Sequence, residues 1–283
     1  MLGKQLEHPV LIGEGTFAKV YRVTDSSSGE FYACKCIQLQ NLAQREKELL
    51  RLIGHPLFPK YKGYFAVKEG YCVLMEYVCG CNLKELVRRR GVLCQKQAVY
   101  IIMELAKGLV YLHEQSPAII FRDIKPENVM IQMDGRIRLI DVGCACLETD
   151  HDRSEEVHTI AGSRGYAAPE QLCIGGRAGQ ESDVYALGSL FCFLMTGRDG
   201  KCLYQDTDQI FAGVTISRGL KQLIEQARQF NPRKRLPDMH SFMQELEVYA
   251  TGSIPARVLM DWKAAMTRKK AAEFYYEQNI RKK

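Results

Sequence analysis

The sequence lacks a long hydrophobic run, although hydrophobic residues make up 46% of its 283 positions. The longest apolar stretch, residues 185–195, is interrupted by Gly188 and Ser189 and is far shorter than the roughly 20 residues that cross a bilayer. Internal repeats and low-complexity segments are also missing, and 25% of the residues are charged. These features exclude the disordered, collagen-like and coiled-coil classes and are typical of a globular protein. The length allows one large domain or two modest ones.

A strong charge of one sign is missing from most of the chain. The formal net charge is +6, but residues 251–283 contain eight basic and three acidic residues and so carry five of these charges. The first 250 residues therefore do not form a basic platform of the kind that binds nucleic acid. We expect residues 251–283 to form a basic amphipathic helix that packs on the preceding domain, with contact to a membrane surface or an acidic protein as the alternative.

The eleven cysteines include no pair with the spacing of a zinc knuckle, in which two to four residues separate the ligands. Three pairs are separated by a single residue: Cys34/Cys36, Cys79/Cys81 and Cys144/Cys146. The first four residues do not begin a secretory signal. An odd number of cysteines without such a signal predicts reduced thiols in a cytoplasmic protein, where we expect them to be small buried hydrophobic residues.

Strand patterns dominate the first 80 residues, and helical patterns dominate the rest. The predicted strands are 10–12, 19–24, 31–37, 61–67 and 71–78. The predicted helices are 41–53, 95–115, 182–196, 218–230 and 237–250. This order predicts an α+β architecture in which a small β-rich lobe with one helix precedes a larger, mainly helical lobe. The hinge between the lobes should lie near residues 76–80.

A glycine-rich segment links the first two predicted strands. It follows Ile12 and reads Gly13-Glu-Gly-Thr-Phe-Ala18. Glycines at positions 13 and 15 allow the backbone to fold closely over phosphate groups, where larger side chains would obstruct the N–H groups. A Rossmann site would place a helix after the loop, whereas residues 19–23 have a strand pattern. On this segment alone, a plain glycine hairpin is the alternative.

The order of the motifs that follow removes this ambiguity. They are Ala33-Cys-Lys35 on the third strand, Glu46 on the next helix, Arg122-Asp-Ile-Lys-Pro-Glu-Asn128, Asp141-Val-Gly143 and Ala168-Pro-Glu170. Together they form the signature set of protein kinases. Residues 10–249 therefore resemble a Ser/Thr protein kinase of the eukaryotic-like, bacterial type. The resemblance implies a bilobal kinase domain over residues 1–250, with an N-lobe of about 1–78 and a C-lobe of about 79–250.

The resemblance also implies which residues handle ATP, the cofactor of this family. Lys35 would bind the α- and β-phosphates and would be held by Glu46. Glu46 is preferred to Glu48 because it lies nine residues before His55-Pro56, the family's spacing. Asn128 and Asp141 would bind Mg²⁺, which takes hard oxygen ligands.

Two residues are implied in the transfer step itself. Asp123 would accept or orient the proton of the attacking hydroxyl, and Lys125 would steady the γ-phosphate. A lysine at this position is the Ser/Thr-kinase pattern, so the partner would be a protein with a Ser or Thr acceptor. Ser163 is expected to form hydrogen bonds with Asp123 and Lys125.

The adenine base would lie between the lobes, according to the same resemblance. Met75 would be the gatekeeper, and the backbones of Glu76 and Val78 would form hydrogen bonds with the base. The other residues implied around the nucleotide are Ile12, Gly13, Gly15, Val20, Ala33 and Met130. For the apolar members of this set, a place in the core explains their identity equally well.

Three positions depart from the family's commonest pattern. Ala18 replaces the third loop glycine, Phe121 replaces a histidine before Arg-Asp, and Val142 replaces the aromatic residue of Asp-Phe-Gly. A large Phe121 beside a smaller Val142 would conserve volume. Because no group that would touch ATP, magnesium or the hydroxyl is missing, the sequence favours an active enzyme. The alternatives are a nucleotide-binding pseudokinase that acts as a scaffold and a small-molecule kinase.

Further residues are implied in support and regulation. Glu170 should pair with Arg235, and Asp183 should brace the catalytic loop. Arg122 beside Asp123 is typical of kinases whose activation segment is ordered by phosphorylation. We therefore expect autophosphorylation at Thr159, in trans between two copies of the chain, with Ser154 as a second candidate.

Overall fold

The computed structural model describes residues 6–15, 17–149, 162–173 and 175–250. The helix expected over 251–283 and the candidate phosphorylation sites Thr159 and Ser154 lie outside these described residues. Within them, no helix combines the length and the apolar character that a membrane crossing requires.

A five-stranded antiparallel sheet forms the N-lobe. Its strands are β1 Leu6–Glu14, β2 Ala18–Asp25, β3 Phe31–Ile37, β4 Tyr61–Val67 and β5 Gly70–Glu76. They lie in the order β1-β2-β3-β5-β4, so that β3 is the central strand, paired with both β2 and β5. All five predicted strands are confirmed, although β1 is longer than predicted and β5 ends at Glu76 rather than at Val78.

One helix, α1 Gln40–Leu52, packs on this sheet. Its buried face consists of Ala43, Glu46, Leu49 and Leu50. These four positions recur at the three- and four-residue spacing of an amphipathic helix. Glu46 is the charged residue among them, and a carboxylate on a buried face needs a partner that compensates for its lost hydration. The position of α1 is therefore determined by an ion pair as well as by apolar contacts.

The C-lobe is mainly helical, as predicted. Its helices are α2 Leu83–Arg90, α3 Gln95–His113, α4 Gln180–Thr196, α5 Thr207–Ile210, α6 Arg218–Ala227 and α7 Met239–Glu247. Helices α3, α6 and α7 end two or three residues earlier than predicted. Helix α4 ends where predicted because Gly197 adopts the left-handed conformation, with φ of 68°, which a helix C-terminus commonly uses.

Helix α2 was not predicted as a separate element. It begins after Asn82, whose side chain accepts a hydrogen bond from the Glu85 N–H at 2.8 Å, and it ends at Gly91, where φ is 84°. An asparagine followed three residues later by glutamate, with glycine just after the last turn, is a helix-boundary pattern. This signal was present in the sequence.

Short strands hold the loops that face the N-lobe. They are β6 Gly80–Asn82, β7 Ile119–Ile120, β8 Val129–Gln132, β9 Ile137–Leu139 and β10 Cys146–Leu147. β8 lies between β6 and β9, and β10 pairs with β7. The turn between β8 and β9 contains Gly135, at φ of 88°. The loop of residues 121–128 therefore connects β7 to β8, the loop of residues 140–145 connects β9 to β10, and strand pairing fixes the ends of both loops.

Two buried polar groups fix the lower side of these loops, as expected. Asp183 is fully buried and accepts hydrogen bonds from the backbone N–H groups of Phe121 at 2.8 Å and Arg122 at 2.9 Å. The Arg235 guanidinium donates to both carboxylate oxygens of Glu170, at 2.6 and 2.7 Å. Ser182 donates to the same carboxylate at 2.7 Å. All these groups are satisfied, which burial requires.

We predict that Arg235→Ala lowers the free energy of unfolding by about 3–5 kcal/mol, because it leaves the carboxylate of Glu170, only 11% exposed, without its cation. Urea unfolding at pH 7 measures this loss. The matched control is Arg136→Ala, because Arg136 pairs with Asp134 but is 69% exposed. It should cost at most about 1 kcal/mol.

The stability that the Glu170–Arg235 pair contributes should depend on pH. Burial alone would raise the pKa of Glu170, but hydrogen bonds from Arg235 and Ser182 lower it below the ordinary value of 4.5. A lowered folded-state pKa contributes stability that is present above pH 4.5 and is lost as the pH falls through the folded-state value. The difference between wild type and Arg235→Ala should therefore shrink in that acidic range. A difference that stays constant would contradict a charged pair.

Candidate active site

Three charged side chains meet in the cleft between the lobes. The Lys35 amine on β3 lies 2.8 Å from Glu46 Oε2 on α1 and 2.6 Å from Asp141 Oδ1 after β9. Lys35 and Glu46 are buried, at 8% and 3% exposure, whereas the Asp141 side chain is 43% exposed. Glu48 is exposed and instead accepts a hydrogen bond from Gln44. The geometry therefore selects Glu46 over Glu48, as predicted.

The two carboxylates determine the charge of this cluster. Burial alone would lower the pKa of Lys35, but Glu46 and Asp141 raise it above its ordinary value, so the amine is protonated at neutral pH. Burial alone would raise the pKa of Asp141, but Lys35 and the Gly143 N–H lower it below its ordinary value. Burial raises the pKa of Glu46 above its ordinary value, and Lys35 opposes that shift. The site thus holds one cation between two carboxylates.

The lack of free space around this cluster explains why residue 143 is glycine. A Cβ at Gly143 would lie 2.9 Å from the Lys35 amine, 3.0 Å from Asp141 Oδ1 and 3.2 Å from Glu46 Oε2. No larger residue fits without displacing the ion pairs. Asp141 itself has φ of 74°, an uncommon conformation outside glycine that costs about 1–3 kcal/mol and is typical of functional sites.

A second cluster lies on residues 121–128. Lys125 Nζ donates to Asp123 Oδ2 at 2.6 Å and to Ser163 Oγ at 3.0 Å, and Ser163 Oγ donates to Asp123 Oδ1 at 2.8 Å. The Asn128 amide nitrogen donates to the Asp123 backbone oxygen at 2.9 Å and to Oδ2 at 3.1 Å. The expected contacts of Ser163 are confirmed. The carboxylate of Asp123 already accepts a hydrogen bond from a hydroxyl, which is the contact that a general base needs.

A residue that the sequence did not predict binds the start of the connection between the lobes. Arg138 on β9 is buried, at 5% exposure. It donates to Glu76 Oε1 at 2.9 Å, to Glu76 Oε2 at 2.7 Å and to the Phe58 carbonyl at 3.0 Å. The hydrogen bonds from Arg138 lower the pKa of Glu76. A bidentate arginine–carboxylate pair has a fixed orientation, so Arg138 orients the start of the hinge.

The residues implied around the base come from the N-lobe sheet, from the hinge and from β8 of the C-lobe. Ala33, Met75 and Val78 are buried, whereas Val20 and Met130 are partly exposed. Residues 77–79 have no regular structure, as the predicted hinge requires.

The glycine-rich segment forms the turn between β1 and β2. The Gly15 N–H donates to the Ala18 carbonyl at 2.8 Å, and Ile12 is 46% exposed. A Cβ at Gly13 or Gly15 would come no closer than 3.8 Å to the rest of the protein. Packing within the protein therefore does not require glycine at either position. Because glycine has no side chain, the backbone at both positions is left accessible to a ligand.

The two unusual residues beside the site are tightly packed. Phe121 and Val142 are buried, at 0% and 1% exposure, in the same apolar cluster as Leu50. The Phe121 ring lies 6.1 Å from the Phe58 ring, between centroids. The phenylalanine thus occupies an apolar position where it needs no hydrogen-bond partner, in line with the expected conservation of volume.

Comparison with known proteins identifies the family of this chain. The model of the protein kinase domain family matches residues 6–248. This chain belongs to the protein kinase family. The expected α+β bilobal kinase fold is confirmed.

The curated relatives of this kinase include mouse serine/threonine-protein kinase PLK2, which is 35% identical over 206 residues, or 69% of this chain and 29% of the mouse protein. CBL-interacting serine/threonine-protein kinase 17 of Arabidopsis thaliana is 30% identical over 245 residues, or 80% of this chain and 55% of that protein. The match thus spans about a third to a half of these relatives. Among solved structures, Rad53 1-466 in complex with AMP-PNP aligns with a TM-score of 0.71 and 22% identity, over 88% of this chain and 66% of that one.

We predict that Glu46→Gln shifts the pH dependence of Lys35 acetylation to lower pH, because the amine loses one of the carboxylates that raise its pKa. The fraction of free amine rises about tenfold for each unit by which the pKa falls. Acetic anhydride labelling across a pH series, with mass spectrometry of the Lys35 peptide, measures the midpoint of the profile.

The control for this experiment is Glu48→Gln, which removes an exposed carboxylate from the same helix and should leave the midpoint unchanged. A uniform increase in labelling rate without a shift of the midpoint would mean that Glu46 only limits access to Lys35. That result would contradict the electrostatic role.

Proposed function

We propose that this kinase transfers the γ-phosphoryl group of ATP to Ser or Thr hydroxyls of protein substrates. The observation that carries the proposal is the arrangement of two polar clusters at one cleft. One consists of Lys35, Glu46 and Asp141, and the other of Asp123, Lys125 and Asn128. Phosphoryl transfer needs positioning and the neutralisation of phosphate charge, and these clusters supply both.

The residues around the cleft fit a nucleoside triphosphate. Lys35 provides a cation for the α- and β-phosphates, and the turn at Gly13 and Gly15 provides backbone close to which phosphates can lie. The buried apolar side chains of Ala33 and Met75 offer a surface for an adenine ring.

The same region fits Mg²⁺. Asp141 offers a carboxylate that is 43% exposed, and the Asn128 amide uses its nitrogen toward Asp123, which leaves its oxygen as a ligand atom. Both are hard oxygen donors of the kind that Mg²⁺ prefers. When bound there, the ion would neutralise phosphate charge.

Asp123 and Lys125 account for the transfer step. Asp123 would orient the acceptor hydroxyl and take up its proton, as its contact with the Ser163 hydroxyl illustrates. Lys125, held 2.6 Å from the same carboxylate, would stabilise the charge of the γ-phosphoryl group as it moves. The lysine two residues after Asp123 and the Ser/Thr kinases among the relatives support Ser and Thr as acceptors.

We predict that Asp123→Ala lowers kcat by about 10²–10⁴-fold, the usual contribution of a general base. Radiolabelled ATP with magnesium and a generic basic protein substrate measures the transfer. Asp134→Ala is the matched control, because Asp134 lies in the exposed turn between β8 and β9, and it should retain wild-type turnover. Binding of ATP without transfer in the wild type would favour a pseudokinase instead.

We also propose that phosphorylation in the activation segment, at Thr159, increases activity. Arg122 supports this proposal, because it is buried beside the catalytic residues with φ of 71°. Within the described part of the chain its Nε has no hydrogen-bond partner. A phosphate on Thr159 would supply acceptors for such a donor.

We predict that incubation with ATP and magnesium adds one phosphate at Thr159, detected by peptide mass spectrometry. Transfer between two copies makes the initial rate per molecule rise in proportion to protein concentration. Thr159→Ala should lose most of the activation, and Ser154→Ala, in the same segment, should keep it. Finding Thr159 unmodified while a substrate protein is phosphorylated would reject this mode of regulation but not the transferase function.

A further inference from the structure

Three cysteine thiols meet on the face of the N-lobe sheet opposite the Lys35 amine. Cys34 and Cys36 flank Lys35 on β3, and alternation along a strand places both on the other face. Cys72 on β5 lies directly opposite Cys36 in the antiparallel register. The three Sγ atoms lie within 4.8 Å of one another. The sequence showed only the one-residue spacing of Cys34 and Cys36; strand pairing added the third thiol.

Cys36 and Cys72 lie close enough to each other for a disulfide bond to form. Their Sγ atoms are 2.6 Å apart, and a disulfide needs a further approach of only about 0.5 Å. Directly opposite residues in an antiparallel pair have Cα atoms about 4.5–5.5 Å apart, within the range that a disulfide spans. Cys34 and Cys36 are separated by two strand steps, about 6.6 Å, at the upper limit of that range. Their Sγ atoms are 3.9 Å apart.

The surroundings favour a neutral bridge over a bound metal. Buried Val23 and Leu74 and partly buried Tyr21 and Phe65 pack around the thiols. A metal held by three thiolates would place charge among these groups, and burying charge is costly. Tetrahedral zinc ligands at about 2.3 Å would keep the sulfur atoms about 3.8 Å apart, a spacing that Cys34 and Cys36 have at 3.9 Å but that Cys36 and Cys72, at 2.6 Å, do not.

The three thiols differ in access and in acidity. Cys34 and Cys72 are buried, whereas Cys36 is partly exposed. Hydrogen bonding with the Cys34 and Cys72 thiols lowers the pKa of Cys36 below its ordinary value, and hydrogen bonding with Cys36 raises that of Cys34. Cys36 is therefore the nucleophile, since the thiolate is the reactive form, and Cys72 is the thiol that resolves its oxidation product.

We propose that Cys36 and Cys72 form an oxidative modification site that reacts with hydroperoxides and closes a disulfide between β3 and β5. In the first step the Cys36 thiolate, whose proton has passed to water, attacks the terminal oxygen of ROOH. The S–O bond forms as the O–O bond breaks, and the leaving alkoxide takes up a proton from water to become ROH. Cys36 is then a sulfenic acid.

In the second step the Cys72 sulfur attacks Cys36 Sγ. The S–S bond forms as the S–O bond breaks, and hydroxide leaves with the Cys72 proton as water. Two thiols lose two electrons, which reduce the peroxide. A dithiol reductant reverses the bridge by thiol–disulfide exchange.

The test uses the full chain, reduced and then treated with hydrogen peroxide, followed by alkylation in denaturant and digestion with trypsin. Cleavage after Lys35 separates Cys34 from Cys36, which lies on peptide 36–45, and Cys72 lies on peptide 69–84 with Cys79 and Cys81. We expect a cross-link between these two peptides, assigned to Cys72 by fragmentation. The number of alkylated thiols should fall from eleven to nine, and dithiothreitol should restore it.

The variants assign the roles. Cys36→Ser and Cys72→Ala should each lose the cross-link, whereas Cys34→Ser should keep it. Cys79→Ser is the matched control, because Cys79 is exposed and lies on the same peptide as Cys72; it should also keep the cross-link. The wild-type measurement decides the proposal even if a buried variant fails to fold, and it requires no kinase activity.

Three results would overturn the proposal. They are peroxide-treated wild type with no cross-link, a cross-link to Cys34, Cys79 or Cys81 in place of Cys72, and stoichiometric zinc or copper in the purified protein that is lost in Cys36→Ser. The last would assign the three thiols to a metal site.

Discussion

The buried charge of Lys35 is the constraint on which the cleft depends. The Lys35 side chain is only 10% exposed, so its amine is stable as a cation only beside carboxylates. These come from two other segments, Glu46 of α1 and Asp141 after β9. One interaction therefore joins the N-lobe sheet, its helix and a loop of the C-lobe. Gly143 follows from the same constraint, because a side chain there would displace the ion pairs.

The C-lobe supports the other half of the cleft by the same principle. Asp183 is fully buried and is satisfied by backbone N–H groups of residues 121 and 122, which holds Arg122 in its left-handed conformation. Arg235 neutralises Glu170 beneath the next loop. Asp183 lies on helix α4, whereas Glu170 and Arg235 lie outside the α-helices. These buried charges support the loop that carries Asp123, Lys125 and Asn128, so that its polar groups stay within hydrogen-bonding distance of one another.

The two faces of β3 show what a sequence pattern predicts and what it does not. Alternation along the strand places Ala33 and Lys35 on one face and Cys34 and Cys36 on the other, which the sequence alone implies. It does not contain the register between strands. The prediction of buried cysteines was right for Cys34, Cys72, Cys81, Cys146 and Cys192 and wrong for Cys79, Cys94, Cys173 and Cys202, which are exposed. Cys72 contacts Cys36 because β5 pairs with β3 at one particular offset.

The sequence by itself determined the element order, the lobe sequence and most of the residues at the cleft, because apolar periodicity, turn glycines and the order of motifs are local properties of the chain. The tertiary structure alone decided that Arg138 holds Glu76, 62 positions away, and that Cys72 meets Cys36, 36 positions away. Such pairs depend on strand register and on how the lobes pack. These are set by the burial of the whole core, and no short stretch of sequence records them.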